Sequence, residues 1–318
     1  MTLTRYPAGA ARAPAAITLA ALMLAAGTMA AGAGERRTLG VTVLGTNDDF
    51  LAPDILDRWR SGALSVHGLR GPGWPPVGEV RFGEVLEYRF RGEILAPESL
   101  DNPEPGDRPY AGSLSFGLHG HWRRQGLALR AGADLVLTGP QTGLSDLQEA
   151  LHEAQDQPDP SNAAADQIGD AAYPTLSGEA ARPLAFGRGV TLRPFAAARA
   201  GDESFVRIGA DLLGGSLASG GLLLRDYATG QLVEAVRGPV TGFGWSAGLD
   251  LASVGGSVYL PGADGFPGPE ERRSRARLGA QWAGERWSVF AGTSWLSEEF
   301  DGQDEGQVVG GLSVTFGF

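Results

Sequence analysis

The chain has 318 residues, a formal charge of −11, 49 glycines and no cysteine. That length allows one large domain or two ordinary ones. The acidic balance argues against a nucleic-acid binder, and a secreted chain without cysteine must be held together by backbone bonding and packing, not disulfides.

At the start, Arg5 and Arg12 precede an apolar run from about Ala15 to Ala26, and Ala31-Gly32-Ala33 offers a small-residue cleavage site. Residues 1–33 therefore read as a secretory signal peptide, leaving 34–318 as the mature domain. No later stretch reaches the roughly 18 uninterrupted apolar residues of a membrane helix. Instead, short alternating runs recur. Thr38–Leu44 predicts a first strand, running into the polar turn Gly45–Phe50, and Arg58–Gly68 and Val80–Leu95 predict the next two. After a Pro/Asp/Glu-rich loop, Tyr110–Trp122 sets Leu114, Phe116 and Leu118 against Ser113, Ser115 and Gly117. Leu127–Leu137 alternates likewise, with Arg130, Asp134 and Thr138 opposite its leucines. Charges on one strand face are sensible if that face lines a barrel lumen.

The segment from Gly139 to about Arg188 breaks the pattern with a long polar loop, which in a compact domain points to function or disorder. Inside it, Leu144, Leu147, Leu151 and Ala154 recur at helical spacing, with Gln148 and His152 one turn apart on another face. Ser145 and Gln148 fit a capping box. His152 is the side-chain type suited to taking a proton from water near neutral pH; the plain alternative is a surface histidine on a loop helix. Strands resume at Gly189–Ala200, Ser204–Leu213, Gly221–Ala228, Gly242–Leu251 (with a possible extension to Leu260), Arg273–Ala283, Arg286–Leu296 and Gln307–Phe318. The last sets Leu312, Val314, Phe316 and Phe318 against small residues and ends on an aromatic. The fold expected is all-β: an antiparallel transmembrane β-barrel of about twelve strands with a short helix in one long loop.

Several side chains are candidates for chemistry. Asn47, Asp48 and Asp49 offer the oxygen donors of a hard-cation site, or ordinary turn residues. Ser61 is an inward polar group or a nucleophile, though no G-x-S-x-G surrounds it. Trp59 and Tyr110 suit a headgroup belt. His119 and His121 share a strand face and could ligate a metal together, with ordinary side chains the plainer reading; His67 has no evident companion.

Taken together, Asn47-Asp48-Asp49-Phe50, Asp57-Arg58-Trp59-Arg60-Ser61-Gly62, Asp107-Arg108-Pro109-Tyr110-Ala111-Gly112 and Gly139-Pro140 leading to Gln148 and His152 resemble the outer-membrane lipid A 3'-O-deacylase family, in order and separation. The resemblance runs from about residue 40 to 155 and more loosely to Phe318. It implies an outer-membrane carboxylic ester hydrolase that removes the 3'-linked acyloxyacyl chain of lipid A in lipopolysaccharide, acting as a monomer with Ca²⁺. By the same resemblance His152 is the general base, accompanied by Gln148, while Asn47 and Asp48 build the Ca²⁺ site and Ser61 stands at the family's Ser/Thr position beside it. The chain departs from the pattern where a lysine is expected, near Asn102, and where an acid is expected after the histidine, near Pro158, with Asp156 and Asp159 as nearby substitutes; the tryptophan expected after this region is absent. These departures leave a non-catalytic barrel of the same family, structural or lipid-binding, as one alternative, and a small pore as another.

Overall fold

The computed structural model describes residues 36–48, 50–51, 58–187 and 189–318. The expected signal peptide, Asp49 and Asp57 lie outside the described residues. Twelve strands form the wall: β1 Arg37–Asn47, β2 Trp59–Gly71, β3 Val80–Ala96, β4 Ala111–Arg124, β5 Leu127–Thr138, β6 Ala171–Ala181, β7 Val190–Ala200, β8 Glu203–Gly215, β9 Gly242–Ser257, β10 Arg272–Ala283, β11 Trp287–Leu296 and β12 Gln307–Gly317. Each pairs antiparallel with its sequence neighbour, and β1 pairs with β12 from Gly40↔Gly317 to Asn47↔Gly310, so the sheet closes on itself. Closure satisfies the backbone without water and leaves no edge, the condition for crossing a bilayer with strands. No helix among the described residues is long and apolar enough to cross one.

The alternation read from sequence is the wall's inside–outside pattern. Leu64, Leu118, Leu135, Leu176, Ile208, Leu249 and Leu278 point outward and are exposed, as a lipid face requires. Phe82, Phe243, Trp282, Trp287 and Phe316 gather near the short-turn rim as an aromatic girdle. Inward stand buried arginines and carboxylates in mutual pairs, such as Arg89 on Asp134, Arg193 and Arg225 on Glu179, and Arg225 and Arg277 on Asp211. Such charges are tolerable out of water only when paired this way.

Two expectations change in detail. Gly221–Ala228 is not a wall strand. It belongs to a segment between β8 and β9 that folds into the lumen and forms a hairpin, Leu222–Arg225 against Leu232–Val236. Its Leu222, Leu224, Leu232, Val233 and Ala235 pack with Leu44, Leu69, Val85 and Phe290 of the wall in one buried cluster. Gly40 permits this contact: a Cβ there would sit 2.0 Å from the Ala235 carbonyl oxygen. Conversely, the strand β6 falls inside the stretch read as loop. Its outward row is Ala172, Pro174, Leu176, Gly178 and Ala180, too small and too interrupted to register as an apolar stripe. The two differences offset each other in the strand count. Gly242–Ser257 is a single strand.

Candidate functional site

The long loops share one rim, and β1 ends there as β2 begins. Asn47 pairs with Gly62 across the two strands. Asp48 is buried, and its Oδ2 accepts the Arg58 backbone N–H at 2.6 Å. Gln307 at the start of β12 donates to the same oxygen at 3.4 Å. A register shift between Trp59 and Gly62 lets Trp59, Arg60 and Ser61 all be buried in succession, at the cost of a positive φ of 52° at Trp59. Trp59 is therefore no headgroup aromatic: it is 1% exposed, edge-on to Phe300, with the Arg58 guanidinium 4.1 Å from its ring centre. Arg58 also binds Glu98 and Glu305, tying three loops together.

The second group is carried by helix α1, Leu144–Gln155. A 3₁₀ turn, Pro140–Thr142, leads into it through Gly143, a left-handed residue at the N-cap, so Ser145 is not the cap and the expected capping box does not form. Gln148 instead accepts the Tyr110 hydroxyl at 2.8 Å. Tyr110, 1% exposed, thus fastens the helix to the wall and is not a belt residue. Gly112 completes the seat: a Cβ there would lie 2.6 Å from Thr142 Oγ1 and 3.2 Å from Leu144 Cβ. The Tyr-Ala-Gly end of the Asp107–Gly112 motif is in effect a docking surface for this helix.

The helix faces are the reverse of a soluble amphipathic helix. Gln148 and His152 are buried at 4% and 6%, while Leu147 and Leu151 are exposed at 45% and 48%. Asp156 ends the helix in the left-handed conformation. The chain then doubles back, and His152 Nδ1 lies 2.5 Å from the Pro158 carbonyl oxygen. A carbonyl can only accept, so Nδ1 carries a proton and donates it, which fixes the orientation of the ring. No sequence signal marks a backbone carbonyl for this role. Where an acid was expected, the two nearby aspartates do other work: Asp156 is the exposed C-cap, and Asp159 Oδ1 accepts the Ser161 backbone N–H.

The two groups are linked through the loop between β3 and β4. Glu98 takes Arg58 and donates its own backbone N–H to Asp107, which also accepts the Arg108 backbone N–H. Tyr110 follows in the same segment. Burial raises the Asp107 carboxyl above the ordinary range, partly offset by those two N–H groups. Arg108 reaches Glu299 in the loop between β11 and β12, where burial would raise that carboxyl but Arg60, Arg273 and Arg108 hold it down to about 2. Leu100, Tyr110 and Ala163 pack together and bring helix α2, Ser161–Ala165, against the loop; Asn162 donates to the Asp101 carbonyl. Asn102, where the lysine was expected, is exposed and bonds Ser99 through its backbone.

His119 and His121 do not act as a metal pair. His119 lies against Asp134 and His121 against Glu87, and the second oxygen of Glu87 takes His67. Among the described residues no three His, Asp or Glu side chains converge as a metal site. The Ca²⁺ that the resemblance implies would have to use mixed oxygen donors. The set present suits a hard cation: an amide oxygen at Asn47, a carboxylate at Asp48, and Ser61 Oγ, which is buried with no hydrogen-bond partner among the described residues.

Comparison with known proteins gives the same frame. The family model for "Outer membrane protein LpxR" matches residues 17–318. LpxR from Salmonella typhimurium superposes with a TM-score of 0.71 at 16% identity, covering 88% of this chain and all of that one. The β domain of the Bordetella autotransporter BrkA reaches only 0.48 at 10% identity, covering 88% of this chain and 99% of its own, and a KdgM porin 0.38 at 7% with the same coverage. A comparison with curated proteins found no match. The chain therefore belongs to the LpxR family of outer-membrane lipid A 3'-O-deacylases and is a closed barrel of the bacterial outer membrane.

Proposed function

We propose that this chain is an active lipid A deacylase, removing the 3'-linked acyloxyacyl group by hydrolysis and acting as a single chain. The observation that carries this reading is the two-faced helix α1. It turns His152 and Gln148 into the protein and leaves Leu147 and Leu151 exposed, an apolar face suited to lipid. An ester whose acyl chains stay in the bilayer meets such a helix with its tails on leucine and its polar link near the imidazole. His152, its Nδ1–H fixed on Pro158, takes a proton from water at Nε2 as the water oxygen adds to the ester carbonyl carbon. When the C–O bond to the sugar breaks, the same proton returns to the departing sugar oxygen and the fatty acid is released. Gln148, held by Tyr110, keeps the helix and thus the ring in place. Asn47, Asp48 and Ser61 would hold Ca²⁺, which supplies a fixed positive charge toward the developing oxyanion.

Mass spectrometry of lipid A from outer membranes carrying the protein tests this. The expected result is lipid A lighter by one acyloxyacyl group, with no loss when a Ca²⁺ chelator is present. Well-folded protein with Ca²⁺ and an unchanged lipid A mass would defeat the proposal. That outcome would favour the second reading, a non-catalytic family member, which rests on Asn102 standing in place of a cation.

A further inference from the structure

The lumen is not filled from end to end. Between the inner segment and strands β4 to β8 lies a cavity of about 340 Å³, edged by Val77, Gly126 and Pro183 of the short turns. In an outer-membrane barrel those turns face the periplasm. One side of the cavity is apolar, made by Leu213, Leu217, Leu222 and Leu223. The other side carries Arg130.

Arg130 differs from the other inward arginines. It sits in register between His121 on β4 and Glu179 on β6, and both neighbours are already committed. Glu179 gives one carboxylate oxygen to Arg193 and the other to Arg225; His121 is taken by Glu87. Among the described residues the Arg130 guanidinium makes no hydrogen bond or ion pair, although it lines the cavity. Arg89, Arg91, Arg199 and Arg275 each hold a carboxylate. A guanidinium held out of bulk water without a hydrogen-bonded partner is costly. Facing a cavity, its planar fork is suited to clasp a carboxylate with two parallel N–H bonds. Arg193 and Arg225 also line the space but are spent on Glu179, and Arg123 is held by the Pro75 and Pro76 carbonyls, so Arg130 is the lining guanidinium left to meet an anionic head. The volume lies at the lower end of the range for small-molecule sites, about 300–1,000 Å³.

We propose that this cavity binds a medium-chain organic carboxylate entering from the periplasm, its head on Arg130 and its apolar body along the four leucines. The site is independent of the rim and of the deacylase reading. The test is calorimetric titration of sodium octanoate into the full barrel in nanodiscs, with empty nanodiscs as the reference for partitioning. Saturable one-to-one binding is expected. Arg130→Gln, shown folded by heat-dependent gel migration, should weaken it at least tenfold, and octanamide, which has the body without the charge, should be weaker than octanoate by the same factor. If Arg130→Gln does not fold, Val77→Trp at the mouth replaces it and should abolish saturable binding. Octanoate uptake no greater than in empty nanodiscs, a loss of less than tenfold in Arg130→Gln, octanamide binding within tenfold of octanoate, or undiminished binding in Val77→Trp each overturns the proposal.

Discussion

The chain's four histidines divide between two regions that use the same ring in opposite ways. In the lumen, His67 and His121 share the carboxylate of Glu87, and His119 lies on Asp134. Each is one tie in a lattice of buried charges that holds the wall to itself. At the outer rim, His152 sits on a loop helix, and the neutral carbonyl of Pro158 fixes its orientation. The lumen rings are held between strands of the wall, whereas the Pro158 carbonyl holds the Nδ1–H of a ring carried on a loop helix. The lumen rings are built for holding; in the proposed reaction the rim ring is the one that exchanges a proton.

That contrast can be broken or sharpened by substitution. The largest effect should come from His152→Gln, which removes the base: hydrolysis of lipid A, followed by mass spectrometry, should fall by roughly 10²–10⁴, with barrel stability unchanged. Glu87→Ala should do the converse. It leaves two buried rings without their acceptor, a loss on the order of 3–5 kcal/mol, read as a lower temperature for the heat-dependent gel shift, while hydrolysis by the folded fraction stays at the parent rate. If Glu87→Ala abolished hydrolysis without lowering stability, the division of roles would be wrong. Tyr110→Phe should act between the two, since deleting the hydroxyl donor to Gln148 costs about 1 kcal/mol, an approximately fivefold slower hydrolysis with little change in thermal stability. The smallest effect should be that of pH on the rim loops. Glu299, with its folded pKa depressed to about 2 by Arg60, Arg273 and Arg108, contributes stability above the unfolded carboxyl value of about 4.3 and loses it as pH falls through 2. Protease cleavage of the outer loops should therefore stay flat from about pH 7 to 5 and rise only below about 4, and Glu299→Gln should remove that rise.

Much of the wall was legible because lipid enforces a period of two. Leu118, Leu135, Leu312 and Phe316 stand where alternation put them. β6 was not legible, because an alanine, a proline and a glycine can face lipid without a hydrophobic signature. The lumen hairpin was misread as wall for the complementary reason: Leu222 and Leu224 alternate as a lipid-facing strand would, but they face other leucines. At the rim, the motifs fall on side chains that the structure buries, Asp48, Ser61, Gln148 and His152 among them, while two of the aromatics were misassigned. Trp59 and Tyr110 read as surface rings because both begin strands, yet each is 1% exposed and supports the loops. The carbonyl of Pro158 had no signature at all, since any residue supplies one and only the chain reversal after Asp156 brings it to the imidazole.

The seam between β1 and β12 has its own consequence. Gly40 on one lip presses against the backbone of Ala235, and Thr315 on the other donates to the carbonyl of Glu234 at 2.6 Å. Neighbouring residues of one hairpin thus grip both lips at once. The insert works as a mandrel: the first and last strands of the chain close over the same short piece of backbone, so the seam cannot gape without letting go of its own filling.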